Sequence, residues 1–396
     1  MRILILWAFI ACCTVNTPSA SPQPVTPIVT TIPTIGTPEP SPSSIGLPIR
    51  TVSQECLPIE PTLPPDFLAN GLVIIGDFTE NPGIGDLMVL TYPNNGLSAL
   101  PDVPSYWFGE VSLDSRWLVY YNVSNEISRL VVLGGDAQVH STISWEDSWS
   151  MLAWLDYQRL VVTSIDGHPV TTIINPFTDE RETITTSLPN YWIPDEPLIV
   201  RLVIWRVVFD SSLTRVAYMR QDQLGQRFVL FDMERNRELW VLDKWSARTV
   251  RPEWSPDGEW LAVIALNQVE DEWDRFELYL VNHEGQAEKW IDIRGYYTDA
   301  DVDEMSWSPD GRYIAIAPFA EGPFLVVDTV ARKLMDYCIP ADATNNNHVL
   351  WSPDSSQVIV PRWGYPSIVV DLERKVAATI LRDEDFRPVG WLSESP

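Results

Sequence analysis

The sequence predicts an all-β chain folded as a β-propeller, and three observations carry that expectation. A Trp-Ser-Pro-Asp-Gly turn recurs as Trp254-Ser255-Pro256-Asp257-Gly258 and Trp307-Ser308-Pro309-Asp310-Gly311, with the variant Trp351-Ser352-Pro353-Asp354-Ser355. Its Asp positions, followed upstream through degenerate copies at Asp210, Asp156 and Asp114, lie 42, 54, 47, 53 and 44 residues apart. Spacing of that size is the length of a four-stranded blade. After each turn apolar residues alternate, as in Trp260, Ala262, Ile264 or Tyr313, Ala315, which is strand periodicity.

The residues of the repeat follow from its geometry. An apolar inner strand ends in Trp, a large plate suited to the space between blades. Pro then presets φ, Asp bonds its own backbone, and Gly takes φ > 0, so the chain reverses. A third strand follows about twenty residues later in four matching copies: Phe228–Asp232, Glu277–Asn282, Phe324–Asp328 and Ser367–Asp371. Each ends in Asp or Asn and a short polar turn, after which a fourth strand runs outward.

The two ends of the repeat region complete each other. Phe386–Ser393 reads as an inner strand with no second, third or fourth strand after it. Leu72–Ile75 reads as a second strand, and Asp86–Thr91 with Pro93-Asn94-Asn95-Gly96 as a third strand and its turn. One composite blade built from both ends removes the free sheet edges that an open array would leave. Six Asp-centred copies and this blade make seven. Six or eight are the alternatives, because the copies at Asp156 and Asp210 are degenerate. The Trp-Ser-Pro-Asp-Gly repeats over residues 70–394 resemble the WD-like repeats of TolB-type propellers. That resemblance implies either an envelope-associated scaffold or the propeller that caps a prolyl-oligopeptidase-type enzyme.

The N-terminus reads as a targeting segment. Arg2 precedes the short apolar run Ile3–Ala11, far below the roughly 20 residues of a spanning helix. Phe9-Ile10-Ala11-Cys12 resembles the lipobox of bacterial lipoproteins, which implies cleavage before Cys12 and lipidation of that cysteine. Residues 1–11 are then the signal peptide and 12–65 a Pro/Thr/Ser-rich linker expected to be disordered. That linker holds 13 of the 33 prolines and has little to bury. Residues 66–396 form the propeller. The chain is expected outside the cytoplasm, as a monomer on the outer face of a bacterial membrane.

The 396 residues carry 27 Lys and Arg against 54 Asp and Glu, a net charge of -27. Almost all of it lies beyond the tail, whose charged residues are Glu39, Arg50, Glu55 and Glu60. Such a field repels phosphate backbones, so nucleic acid is not an expected partner. Cys56 and Cys338 are an even pair, and in an exported chain they are a candidate disulfide stapling tail to propeller.

Little points to catalysis. His140, His168, His283 and His348 have no metal-ligand spacing and are expected as solvated turn residues. The sequence has no Gly-x-Ser-x-Gly elbow, and too few residues follow Trp391 for a hydrolase domain. The repeat residues Trp254, Asp257, Gly258, Trp307, Asp310, Gly311, Trp351 and Asp354 recur as architecture, whereas catalysis needs one special constellation. No metal or cofactor is called for: the carboxylates of 299–304 lack calcium-loop spacing. Aromatic and acidic residues in the inter-strand loops of the face opposite the turns are the candidate binding surface: Tyr106, Trp107, Trp192, Trp273, Tyr296, Tyr297, Asp301, Asp303, Trp363 and Tyr365. Two readings compete. One is a non-catalytic scaffold for a protein, peptide or envelope polymer. The other is a glycan- or lactone-cleaving hydrolase using the propeller funnel, for which Glu253 and Glu304 near inner-strand starts leave an opening.

Overall fold

A computed structural model describes residues 51–394, apart from 65–66, 69–70, 79–83, 92–95, 101, 107, 125–126, 146–149, 165–170, 185–206, 223–224, 243–250, 267–274, 295–301, 319–321, 344–347, 363 and 382–385. The described residues form seven sheets, each with a four-stranded antiparallel core, around one axis. From inner strand to outermost residue, blade 1 spans 108–145, blade 2 150–184, blade 3 208–242 and blade 4 251–294. Blade 5 spans 302–341 and blade 6 350–379. Blade 7 is the composite: inner strand Phe386–Leu392 pairs with Leu72–Asp77, which pairs with Asp86–Thr91 and then Gly96–Ala99. This is the seven-bladed propeller that the repeat spacing predicts.

Seven apolar clusters fill the seven gaps between neighbouring blades. The middle strands of a blade therefore bury both faces, and alternate residues serve opposite neighbours, while outermost strands such as Glu180–Ile184 stay largely exposed. In blade 4, Leu261, Val263 and Ala265 face blade 3, while Ala262 and Ile264 face blade 5. Burying a Val, Leu or Ile side chain in such a gap stabilises by about 1.5–3 kcal/mol.

The turn that drives the repeat is organised by its serine. Ser308 Oγ donates to Asp310 Oδ1 (2.6 Å) and accepts the Tyr313 amide (2.8 Å). The same pair of bonds recurs at Ser112, Ser255 and Ser352. The Asp oxygen also accepts the amide two residues on, at Arg116, Glu259, Arg312 and Ser356. Gly258 and Gly311 take φ of 72° and 71°, as the turn demands.

Two upstream copies depart from the sequence alignment. Asp210 occupies the serine position, not the Asp position: it accepts the amides of Thr214 and Arg215, and Ser212 donates to its carboxylate. The two residue types have exchanged places, which preserves the hydrogen bonds. At Asp156 the turn is one residue shorter, since the Leu155 amide reaches the Arg159 carbonyl, whereas Ser255 reaches Trp260.

The linker ends earlier than residue 65. Thr51–Gln54 pairs in parallel with the outer strand of blade 5, and Ile59–Glu60 with that of blade 6. Cys56 and Cys338 are joined by a disulfide, with Cα atoms 4.7 Å apart. The outer edges of two blades supply free backbone partners, so a segment with almost no apolar pattern becomes two short strands. Phe67 and Leu68 follow, buried between blades 6 and 7, and the Leu68 amide donates to Gln357 Oε1 (3.1 Å). Residues 1–50, which include the expected signal peptide and Cys12, lie outside the described residues.

Candidate functional site

The inner strands converge on an axial cavity of about 220 Å³. Its wall includes Trp154, Trp254, Trp307, Trp351 and Trp391 together with Phe209. Four ionisable residues join them: Glu110, Glu253, Glu304 and His348, from blades 1, 4, 5 and 6. Lysine and arginine are missing among the described residues that line it.

The repeat itself positions these groups. Glu110 and Glu253 each occupy the last-but-one position of an inner strand. Their carbonyls are held by the tryptophan of the next blade around the ring: Trp154 Nε1 donates to Glu110 O (3.1 Å) and Trp307 Nε1 to Glu253 O (3.2 Å). Trp351 Nε1 does the same to Ser306 O (3.2 Å). The indole plates that fill the blade gaps thus also fix the register of neighbouring inner strands. The Glu253 carboxylate accepts the Trp307 amide (3.3 Å).

Glu304 and His348 stand at the same level of adjacent blades, three residues before Trp307 and Trp351. His348 Nδ1 lies 3.3 Å from Glu304 Oε1, with the two side chains 14% and 15% exposed. The Phe108 ring meets the imidazole edge-on, with centroids 6.0 Å apart. A bulge at Asp303 breaks the pairing between Val302 and Glu304. Bulges re-aim the side chains beside them, and here the one beside it is the channel carboxylate. A partly buried carboxylate, an imidazole and a set of indoles can hold a cationic group by charge and by cation–π attraction.

The expected surface fares unevenly. Tyr106 is 4% exposed and packs on Phe78 and Tyr120, so it is core. Burial pushes its hydroxyl well above the usual tyrosine value, with the Glu110 charge adding to the effect. Tyr365 is 53% exposed, with the Arg362 guanidinium over its ring. Asp303 lies in the inner strand of blade 5. Trp107, Trp192, Trp273, Tyr296, Tyr297, Asp301 and Trp363 lie outside the described residues. His348 is not a solvated turn residue but lines the channel; His140 and His283 do sit at the surface, beside Asp136 and Glu259. Glu110 and His348 carry no sequence signal: His348 is defined only by its register to Trp351, and Glu110 precedes Val111, which stands where most other blades have tryptophan. Among the described residues no group of three or more His, Cys, Asp or Glu is arranged to hold a metal ion.

No family model and no curated protein matches the chain. Solved structures do. A periplasmic gluconolactonase of Pseudomonas aeruginosa aligns with a TM-score of 0.50 at 12% identity, over 81% of this chain and 97% of that one. A functionally unknown protein from Desulfotomaculum acetoxidans aligns at 0.49 and 11%, over 82% and 100%. TolB from Acinetobacter baumannii aligns at 0.40 and 14%, over 63% and 58%. Likeness at such identity speaks to the fold: the chain is a β-propeller.

Proposed function

We propose that this protein is an exported, membrane-tethered binding propeller whose channel receives a basic segment of a protein or peptide partner. The observation that carries this reading is the channel itself: three glutamates and a histidine from four blades, with no lysine or arginine among the described lining residues. The net charge of -27 extends the same field outward and steers cations toward the molecule. Export is supported by the Cys56–Cys338 disulfide, a bond that persists in oxidising compartments. Tethering rests on Cys12 and the proline-rich tail behind it.

Two measurements test this. Fatty-acid labelling of the full chain should be lost in Cys12→Ser; equal labelling of that variant would remove the tether. For the ligand, the protein is presented with a peptide array graded in lysine content, and bound peptide is fixed by carbodiimide coupling. Amide cross-links from peptide lysine to Glu110, Glu253 or Glu304 are expected. Binding that ignores lysine content, or cross-links confined to outer surface carboxylates, would overturn the channel reading.

A hydrolase is the second reading, favoured by the Glu304–His348 contact inside the channel. Lactone and glycoside substrates assayed against wild type and Glu304→Gln decide it: turnover lost in the variant supports an enzyme, and no turnover by wild type excludes those substrates.

A further inference from the structure

We infer that the Cys56–Cys338 disulfide is a latch that covalently closes the propeller ring, which strand pairing alone would otherwise close at blade 7. The seam of the ring is the antiparallel pairing of Leu72–Asp77 with Phe386–Leu392, where N-terminal and C-terminal strands build one blade between them; the parallel pairings of Thr51–Gln54 and Ile59–Glu60 add strands only at the outer edges of blades 5 and 6. From the seam, one side runs back through Leu68 and Phe67 to Cys56. The other runs back through blade 6 to Cys338. The disulfide joins these two sides. Opening the seam with the bond intact therefore leaves its two strands joined through residues 56–72, the disulfide and the stretch 338–386 that contains blade 6.

The strap that carries Cys56 is poorly held without it. Val52 is 60% exposed and Ile59 39%, so its two strands bury little apolar surface. Leu57 alone of its apolar residues packs against the core between blades 5 and 6. Its other ties are edge bonds. Glu55 and Leu57 donate their amides to the Asp336 and Tyr337 carbonyls (2.9 and 3.1 Å). The Gln54 amide donates to the Asp336 carboxylate (3.1 Å), and Lys375 pairs with Glu55 (2.6 Å) in solvent. Exposed edge strands of this kind open at low cost. Cys56 is itself exposed, so a dithiol reductant can reach the bond. The reductant becomes a disulfide as Cys56 and Cys338 each gain a thiol hydrogen, and closure then rests on pairing and packing.

Native-state hydrogen exchange on the full chain tests this, comparing the oxidised protein, the same protein with a phosphine or dithiol reductant, and Cys56→Ser/Cys338→Ser. Amides of 51–57 and of the seam, Val73–Ile75 with Gly390–Leu392, are expected to exchange at least about tenfold faster once the bond is gone. Blade 4, which touches neither strap nor seam, should be unchanged. Seam exchange that tracks blade 4 would overturn the latch, as would loss of protection in all blades together. If the double variant does not fold, reduction of the folded wild type gives the same reading.

Discussion

Ser308 and Asp310 form the hub of a blade: the wholly buried serine hydroxyl donates to the carboxylate at 2.6 Å while its oxygen accepts the Tyr313 amide at 2.8 Å. The asymmetry between the two residues has a consequence. The Ser308 oxygen serves the Tyr313 amide in a part-buried bond, whereas the carboxylate serves the Arg312 amide at the surface. Ser308→Ala leaves a part-buried donor without its acceptor and should cost about 1–3 kcal/mol. Asp310→Ala exposes the Arg312 amide to water and strands the Ser308 hydroxyl proton, but that hydroxyl can rotate while its oxygen keeps the Tyr313 amide, so the variant should cost less. Urea unfolding midpoints order the two, and a larger loss for the aspartate variant would contradict this ranking.

Trp307 links the same hub to the channel. Replacing it with Phe keeps most of the plate in the gap but removes the bond from Nε1 to the Glu253 carbonyl. A stability loss of about 1 kcal/mol is expected from the hydrogen bond, with a further contribution from lost packing. Because that bond also fixes the strand bearing Glu253, cation binding should weaken in the variant even though Phe is uncharged. Unchanged affinity at reduced stability would show that the indole serves packing alone.

Alkaline pH should destabilise the fold once it reaches the range where ordinary tyrosines ionise. Burial pushes the Tyr218 and Tyr337 hydroxyls from 10.0 up to about 12. For Tyr218 the Arg220 charge works against the rise and Glu238 with it. In the folded protein both hydroxyls hold their protons above pH 10, while the unfolded chain releases them. The native state then binds more protons, so stability is full below pH 10 and falls as pH rises from 10 to about 12. Denaturant midpoints measured across that window should decline. In Tyr218→Phe/Tyr337→Phe the decline should be shallower, and an identical slope would count against these two side chains as its cause.

Much of the fold was legible because the repeat is a local device. Ser255, Asp257 and Gly258 reverse the chain through bonds among neighbours, so the turn, the blade length and the composite closure could all be read from one dimension. The failures have the same origin. Asp210 was aligned by residue type, but the turn selects for an acceptor at the serine position, and either Ser or Asp meets that need. Thr51–Gln54 reads as linker in the sequence because its strand character comes from an edge 282 residues away and from a disulfide, not from its own pattern. Glu253 and Glu304 drew notice for lying near inner-strand starts. Glu110 and His348 did not, since the channel gathers single residues from blades dozens of residues apart and no spacing rule marks them.

The channel's charge is the centre of the functional account, and one titration addresses it. A fluorescent hexalysine peptide is titrated into wild type and into Glu110→Gln/Glu253→Gln/Glu304→Gln at two salt concentrations, with the fold of each checked by its unfolding midpoint. Saturable binding that weakens with salt is expected for wild type, as screening requires. The triple variant should bind at least about tenfold more weakly, a loss of about 1.4 kcal/mol. Equal affinity in a folded triple variant would contradict the account and move any cation binding to the outer surface.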